Sequence, residues 1–142
     1  MKQGPENGTV RLELPATYRY LNVLGAVVGA VLQRVDDIQE RDILTYNIEL
    51  ALHETCTNIV EHAYAETGGR IGIALAVEEN PRRLVVEVQD TGRSFDMSTL
   101  RQPDLDEPQL SGYGLFLVHN LVDQVTYHPA AGHNRWRLVK NL

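Results

Sequence analysis

Cysteine occurs once in these 142 residues, at Cys56, so the chain has no internal disulfide and no cysteine cluster for a metal. A reducing cytoplasm is the setting expected for such a chain. Long apolar runs are also missing. The longest, LGAVVGAVL at 24–32, is too short to span a bilayer. It has neither the position nor the basic start of a signal peptide. Positive charge is in deficit: 13 Lys and Arg face 19 Asp and Glu, a formal net charge of −6. That balance argues against nucleic acid or an anionic membrane as the main partner. No internal repeat and no domain-scale linker is present.

What remains is an ordinary globular composition, 43% hydrophobic, at a length that suits one domain with one core. Residues 1–8 are polar and read as a flexible start; residues 9–142 read as a single domain. TVRLEL at 9–14 alternates as an edge strand does, and Pro15 ends it. A first helix is predicted over 18–35, with Leu21, Leu24, Val28, Val31, Leu32 and Val35 inward. Gly25 and Gly29 on it would let another helix approach closely. A second helix is predicted from Asp42 to Ala65, stopped by TGG at 67–69. RIGIALAVEE and RLVVEVQD form a hairpin across the turn NPR. The stretch from Thr91 to Ser111 is polar, holds Pro103 and Pro108, and is long for a connection, which marks a functional loop or lid. GYGLFLVHNLVDQ reads as a third helix, followed by strands VTYHP and NRWRLVKNL. The order implies an α/β two-layer sandwich, a mixed β-sheet with helices on one face.

One helix carries an unusual polar edge. In ALHETCTNIVEHAYAE, Glu54 and Asn58 lie one above the other at 3.6 residues per turn. Ile48, Leu52, Ile59 and Ala63 form the core stripe beside them. Glu54 and Asn58 thus border the buried face, where the wall of a cleft would stand. The bland alternative is a solvated stripe. HETCTN also has the look of a histidine phosphoacceptor motif at His53. That motif belongs on a dimeric helical hairpin with a separate ATP domain after it, and this chain has no room for both.

Two glycine boxes follow. VEVQDTG ends a strand with Asp90, whose carboxylate can accept a hydrogen bond from an exocyclic amine. Gly92 would let a flat ring approach the backbone. SGYGLFL places Gly112 and Gly114 where a loop enters a helix, and free N–H groups at a helix start bind phosphate. Each box alone is more often a turn or a cap.

Taken in order, E-x-x-x-N on a helix, D-x-G after a strand, a polar loop and G-x-G-L at a helix start resemble the ATP-binding fold of the GHKL superfamily. That superfamily includes DNA gyrase, histidine kinases and mismatch-repair ATPases. Within it, ETCTNIVEHAY, DTGRSFD and GYGLFLVHNLVDQVTY look most like the anti-sigma serine kinases of bacterial partner-switching systems. The resemblance implies ATP and Mg²⁺ as cofactors. It implies Glu54 as general base, Asn58 as the Mg²⁺ ligand and Asp90 as the adenine acceptor. Gly92 would admit the ring. Gly112, Tyr113, Gly114 and Leu115 would offer backbone N–H groups to phosphate. His62 would border the nucleotide, and Asn134 would stand where relatives hold a threonine near adenine. The implied activity is phosphorylation of a serine on a STAS-type anti-sigma-factor antagonist; the alternative is a module that binds ATP and sequesters a partner with little transfer. A homodimer is compatible. Two departures stand out. Ser94 replaces the second glycine of D-x-G-x-G, as in many anti-sigma kinases. Asn22 falls near the place of an arginine that relatives use toward a sigma factor, which puts a sigma-factor partner in doubt.

Overall fold

The computed structural model describes residues 8–64, 68–94 and 117–142. Strand β1 (Thr9–Pro15) leads through a 3-10 turn at Tyr18–Tyr20 into helix α1 (Asn22–Leu32). Helix α2 (Arg41–Asn58) continues without a break into a π-turn at Ile59–Ala63. Strands β2 (Arg70–Glu78) and β3 (Arg83–Asp90) follow, then a helical segment α3 at 117–121, then β4 (Gln124–His128) and β5 (Asn134–Asn141).

The five strands lie in the order β1-β2-β3-β5-β4, and all four ladders are antiparallel. The two-layer α/β arrangement is as expected. The pairing differs from the expected mixed sheet, because β5 enters between β3 and β4. Strands β3 and β4 point the same way but never touch. Leu12, Leu14, Ile71, Ile73, Leu75, Leu84, Val86, Val88, Trp136 and Leu138 alternate onto one face and meet the helices. The helices answer with Leu24, Val28 and Leu32 from α1, and Ile48, Ala51, Leu52, Cys56 and Ile59 from α2 and its turn. Burying each large aliphatic side chain stabilises the fold by roughly 1.5–3 kcal/mol. A slip of one residue in any ladder would turn that set toward solvent, so the register is tightly specified.

Both long helices depart from their expected bounds. The first is shorter than 18–35. Its start is the separate 3-10 turn, with Leu21 as an N-cap that offers no side-chain hydrogen bond. At its other end Val35 and Arg34 donate three residues back, to Leu32 and Val31, and the Arg41 guanidinium also donates to the Leu32 carbonyl. Tightened last turns of this kind satisfy carbonyls that have no partner further along. The second helix keeps α geometry only to Asn58. Beyond it the Tyr64 amide donates to the Ile59 carbonyl at 3.2 Å, five residues back, the mark of a π-turn. Residues 1–7, and the lid beyond Ser94 as far as Ser111, lie outside the described residues.

Candidate nucleotide site

The register of the central ladder creates the site. Asp90, last in β3, pairs directly with Asn134, first in β5. Both are buried, at 3% and 0% exposure, and both point inward. Buried polar groups need partners, and these have them. Asn134 Nδ2 donates to Asp90 Oδ1 at 3.0 Å and to the Gly92 carbonyl at 2.9 Å. The Gly92 N–H donates to the same Asp90 Oδ1 at 2.9 Å. The Ser94 hydroxyl donates to Asn134 Oδ1 at 2.5 Å. Ser94, set down above as a departure from the glycine pattern, is therefore part of the network that holds Asn134.

Both donors use Oδ1, so Asp90 Oδ2 accepts no hydrogen bond among the described residues. Burial raises the Asp90 pKa from its ordinary value. The bonds from Asn134 and Gly92 and the nearby His133 oppose that shift without cancelling it. A desolvated carboxyl with one oxygen left over is suited to a fixed amine donor. Cys56 packs in the core close enough to feel Asp90. Burial first, and the Asp90 charge second, push its thiol above the usual range, so it is a packing group and not a nucleophile.

The facing wall is the end of α2. Asn58 is 2% exposed, and its Nδ2 has no hydrogen-bond partner among the described residues. Leaving a buried amide unpaired costs about 1–3 kcal/mol. Glu54 is half-buried one turn earlier on the helix. His53, by contrast, is exposed, with Nδ1 3.5 Å from the Thr57 hydroxyl.

Tyr64, which no motif in the sequence marked, ties the two walls together. Its phenol donates to the Arg70 carbonyl at 2.9 Å, accepts the Thr91 N–H at 2.7 Å, and meets the Thr91 hydroxyl at 3.1 Å. Next to it the Arg93 N–H donates to the Ala63 carbonyl at 3.0 Å. A Cβ on Gly92 would stand 2.4 Å from that same carbonyl oxygen. Glycine is thus required at 92 by contact with the π-turn itself, whatever ring approaches from the other side. His62, expected to border the nucleotide, lies within the π-turn. His62 is half-exposed, its Nε2 4.0 Å from Glu61, and its carbonyl accepts from the Arg93 guanidinium at 3.3 Å. Gly112, Tyr113, Gly114 and Leu115 lie outside the described residues.

Among the described residues a cleft of about 730 Å³ lies on the opposite face of the sheet over Gly72 and Ala74. It reaches Asp90 and Thr91 at its rim but not Glu54, Asn58 or Asn134. The chemistry of the buried polar groups is the better guide.

A family model, the histidine kinase-like ATPase domain, matches residues 14–140. The chain belongs to the histidine kinase-like ATPase family, in its serine-protein kinase branch. Membership implies ATP use. The chain is 33% identical over 128 residues to the serine-protein kinase RsbW of Bacillus cereus strain AH820, covering 82% of this chain and 74% of that one. It is 31% identical over 136 residues to the RsbW of Halalkalibacterium halodurans, covering 87% and 78%. Among solved structures, the RsbU and RsbW domains of Rv1364c from Mycobacterium tuberculosis align with a TM-score of 0.69 at 21% identity, over 95% of this chain and 32% of that one. The histidine kinase domain of a blue-light activated kinase from Erythrobacter litoralis aligns at 0.57 and 20% identity, over 87% of this chain and 60% of that one. At these identities the two structures speak for the fold. Among the described residues no helix is long and apolar enough to cross a membrane.

Proposed function

We propose that the chain is a Mg·ATP-dependent protein-serine kinase of a bacterial partner-switching system, acting on a STAS-type anti-sigma-factor antagonist. The observation that carries this reading is the Asp90–Asn134–Gly92–Ser94 network, anchored on the buried Asp90 and Asn134 and closed on itself among the described residues except for one carboxylate oxygen. Such an oxygen in a desolvated setting suits the exocyclic amine of adenine, and Asn134 fixes its direction. The buried amide of Asn58 supports the cation. Among the described residues no cluster of three His, Cys, Asp or Glu offers a full protein cage. A single amide oxygen, completed by phosphates and waters, is the mode in which Mg²⁺ is commonly held beside a nucleotide. Bound there, Mg²⁺ would neutralise charge on the β- and γ-phosphates.

Glu54 supplies the base. It sits one turn from Asn58, on the half-exposed edge where a protein side chain can arrive. The serine O–H gives its proton to the Glu54 carboxylate, the serine oxygen bonds to the γ-phosphorus, and the bond to the β-phosphate oxygen breaks to release ADP. Asp90 and Asn134 take no part in this exchange; they set the adenine end. The Gly112–Leu115 backbone would cradle the phosphates. The relatives that carry the name serine-protein kinase RsbW favour transfer over mere nucleotide binding. A module that only sequestered a partner would have no use for a carboxylate at position 54. Incubation with Mg·ATP and purified STAS-domain proteins, followed by location of phosphoserine, tests the reading directly. Phosphoserine on one such protein is the expected result. Tight ATP binding with no transfer to any of them would favour the sequestering module instead.

A further inference from the structure

A second polar feature of α2 takes no part in the nucleotide site. On the outer side of the α1–α2 seam lies a cleft of about 310 Å³. Leu21, Leu24 and Gly25 line it from the start of α1, and Tyr46, Glu49, Leu50 and His53 from α2. The α2 residues fall at i, i+3, i+4 and i+7, one continuous face.

Glu49 is the anomaly in this cleft. It is half-buried, yet it makes no hydrogen bond and no ion pair among the described residues, and no arginine or lysine lines the cleft. Its carboxylate lies along the glycines of α1. A Cβ on Gly25 would stand 3.3 Å from Glu49 Cδ and 3.4 Å from Oε2, and one on Gly29 would stand 3.9 Å from Oε1. The close helix approach expected from these glycines is therefore made within the chain, by α2 carrying an acid into the seam. A partly desolvated carboxylate without a partner is unfavourable, and a cation supplied from outside would relieve it. Tyr46 stands beside it with 62% of its surface exposed, an aromatic ring held open to solvent. Leu21, Leu24 and Leu50 provide apolar walls. Carboxylate, aromatic face and aliphatic wall together are the three features that receive a guanidinium on its carbon stem.

We propose that the α1–α2 cleft is a docking site for an arginine side chain of a protein partner, with Glu49 accepting the guanidinium and Tyr46 stacking on it. The site is separate from the nucleotide network and does not depend on the kinase reading. Asn22, a neutral amide, also lines the cleft and brings no cation to Glu49.

The test uses the full chain, isotopically labelled, and two probes: capped arginine amide and its neutral isostere, capped citrulline amide. Nuclear magnetic resonance should show saturable shifts at Tyr46, Leu50 and Leu24 with the arginine probe, and much weaker ones with citrulline. Glu49→Gln should weaken arginine binding roughly tenfold, and Tyr46→Ala about threefold. Equal binding of citrulline, or unchanged binding by Glu49→Gln, overturns the proposal. Sedimentation equilibrium of wild type and Glu49→Gln supplies the other arm. Equal behaviour supports a foreign partner. Self-association that weakens in the variant shows that the occupant is a second copy of this chain, and overturns it.

Discussion

Helix α2 carries two acidic positions that border the core, and they stand in opposite situations. At its C-terminal end the polar groups face a network already complete within the chain. Asp90, Asn134, Gly92 and Ser94 satisfy one another, and among the described residues Asp90 Oδ2 and Asn58 Nδ2 are left over. Two turns earlier, Glu49 lies along the glycines of α1 with no hydrogen bond or ion pair among the described residues. The first region is preorganised, so its ligand meets groups whose directions are fixed. The second is open, and in the docking proposal its carboxylate gains a partner by association. A buried polar atom left over from an otherwise closed network is evidence for a small, precisely oriented ligand. A lone charge on an apolar surface is evidence for a side chain from elsewhere.

The comparison can be broken in stages. The largest effect is expected from Glu54→Gln. Serine phosphorylation should fall by roughly 10²–10⁴-fold while ATP affinity is kept, because the base acts in transfer and not in holding the nucleotide. Quantified phosphoserine under saturating Mg·ATP checks it, and an unchanged rate would reduce Glu54 to a polar wall. Gly92→Ala comes next. Its Cβ would collide with the Ala63 carbonyl, so melting should report a loss of about 1–3 kcal/mol, as overpacking usually gives. Tyr64→Phe removes the phenol that serves Arg70 and Thr91 and should cost about 1–3 kcal/mol. Hydrogen exchange at the Thr91 amide would rise with it. The smallest effect on stability belongs to Glu49→Gln, which breaks no bond. Its melting temperature should match the wild type, in contrast to Gly92→Ala and Tyr64→Phe.

The pH dependence sharpens the same contrast. Burial raises the Asp90 pKa above its ordinary 3.8. The folded state therefore holds a proton over a range where the unfolded state has released it. Stability contributed by this group is present in acid and declines as pH rises from 3.8 through the raised folded value, then levels off. Asp90→Asn should remove that slope. Denaturant titrations between pH 3.5 and about 6 would show a flatter profile in the variant than in the wild type.

Much of this was legible in the sequence, and the residues show why. RLVVEVQD reads as a strand that ends in Asp90, and the strand occupies Arg83–Asp90 as expected; the inward orientation of Asp90 is a finding of the structure. Glu54 and Asn58 were placed on a cleft wall by helical period alone. Asn134 was linked to adenine only by resemblance; its partners Asp90, Gly92 and Ser94 depend on the β3–β5 register, which no local pattern encodes. The role of Tyr64 was invisible because its phenol reaches Thr91, 27 residues away. The π-turn was equally hidden: IVEHA has an unremarkable helical pattern, and the tether at Tyr64 accompanies the wider ring. The antiparallel sheet was missed because strand order, unlike strand content, is set by tertiary packing.

The central claim is that the end of β3 and the start of β5 form an adenine-nucleotide site. Calorimetric titration of ATP with Mg²⁺ into the wild type and Asp90→Asn tests it most directly. Binding by the wild type, weakened by about 1–3 kcal/mol in a variant that melts no lower, is the expected result. Wild-type protein that takes up no ATP, or a variant that binds it equally well, would contradict the claim.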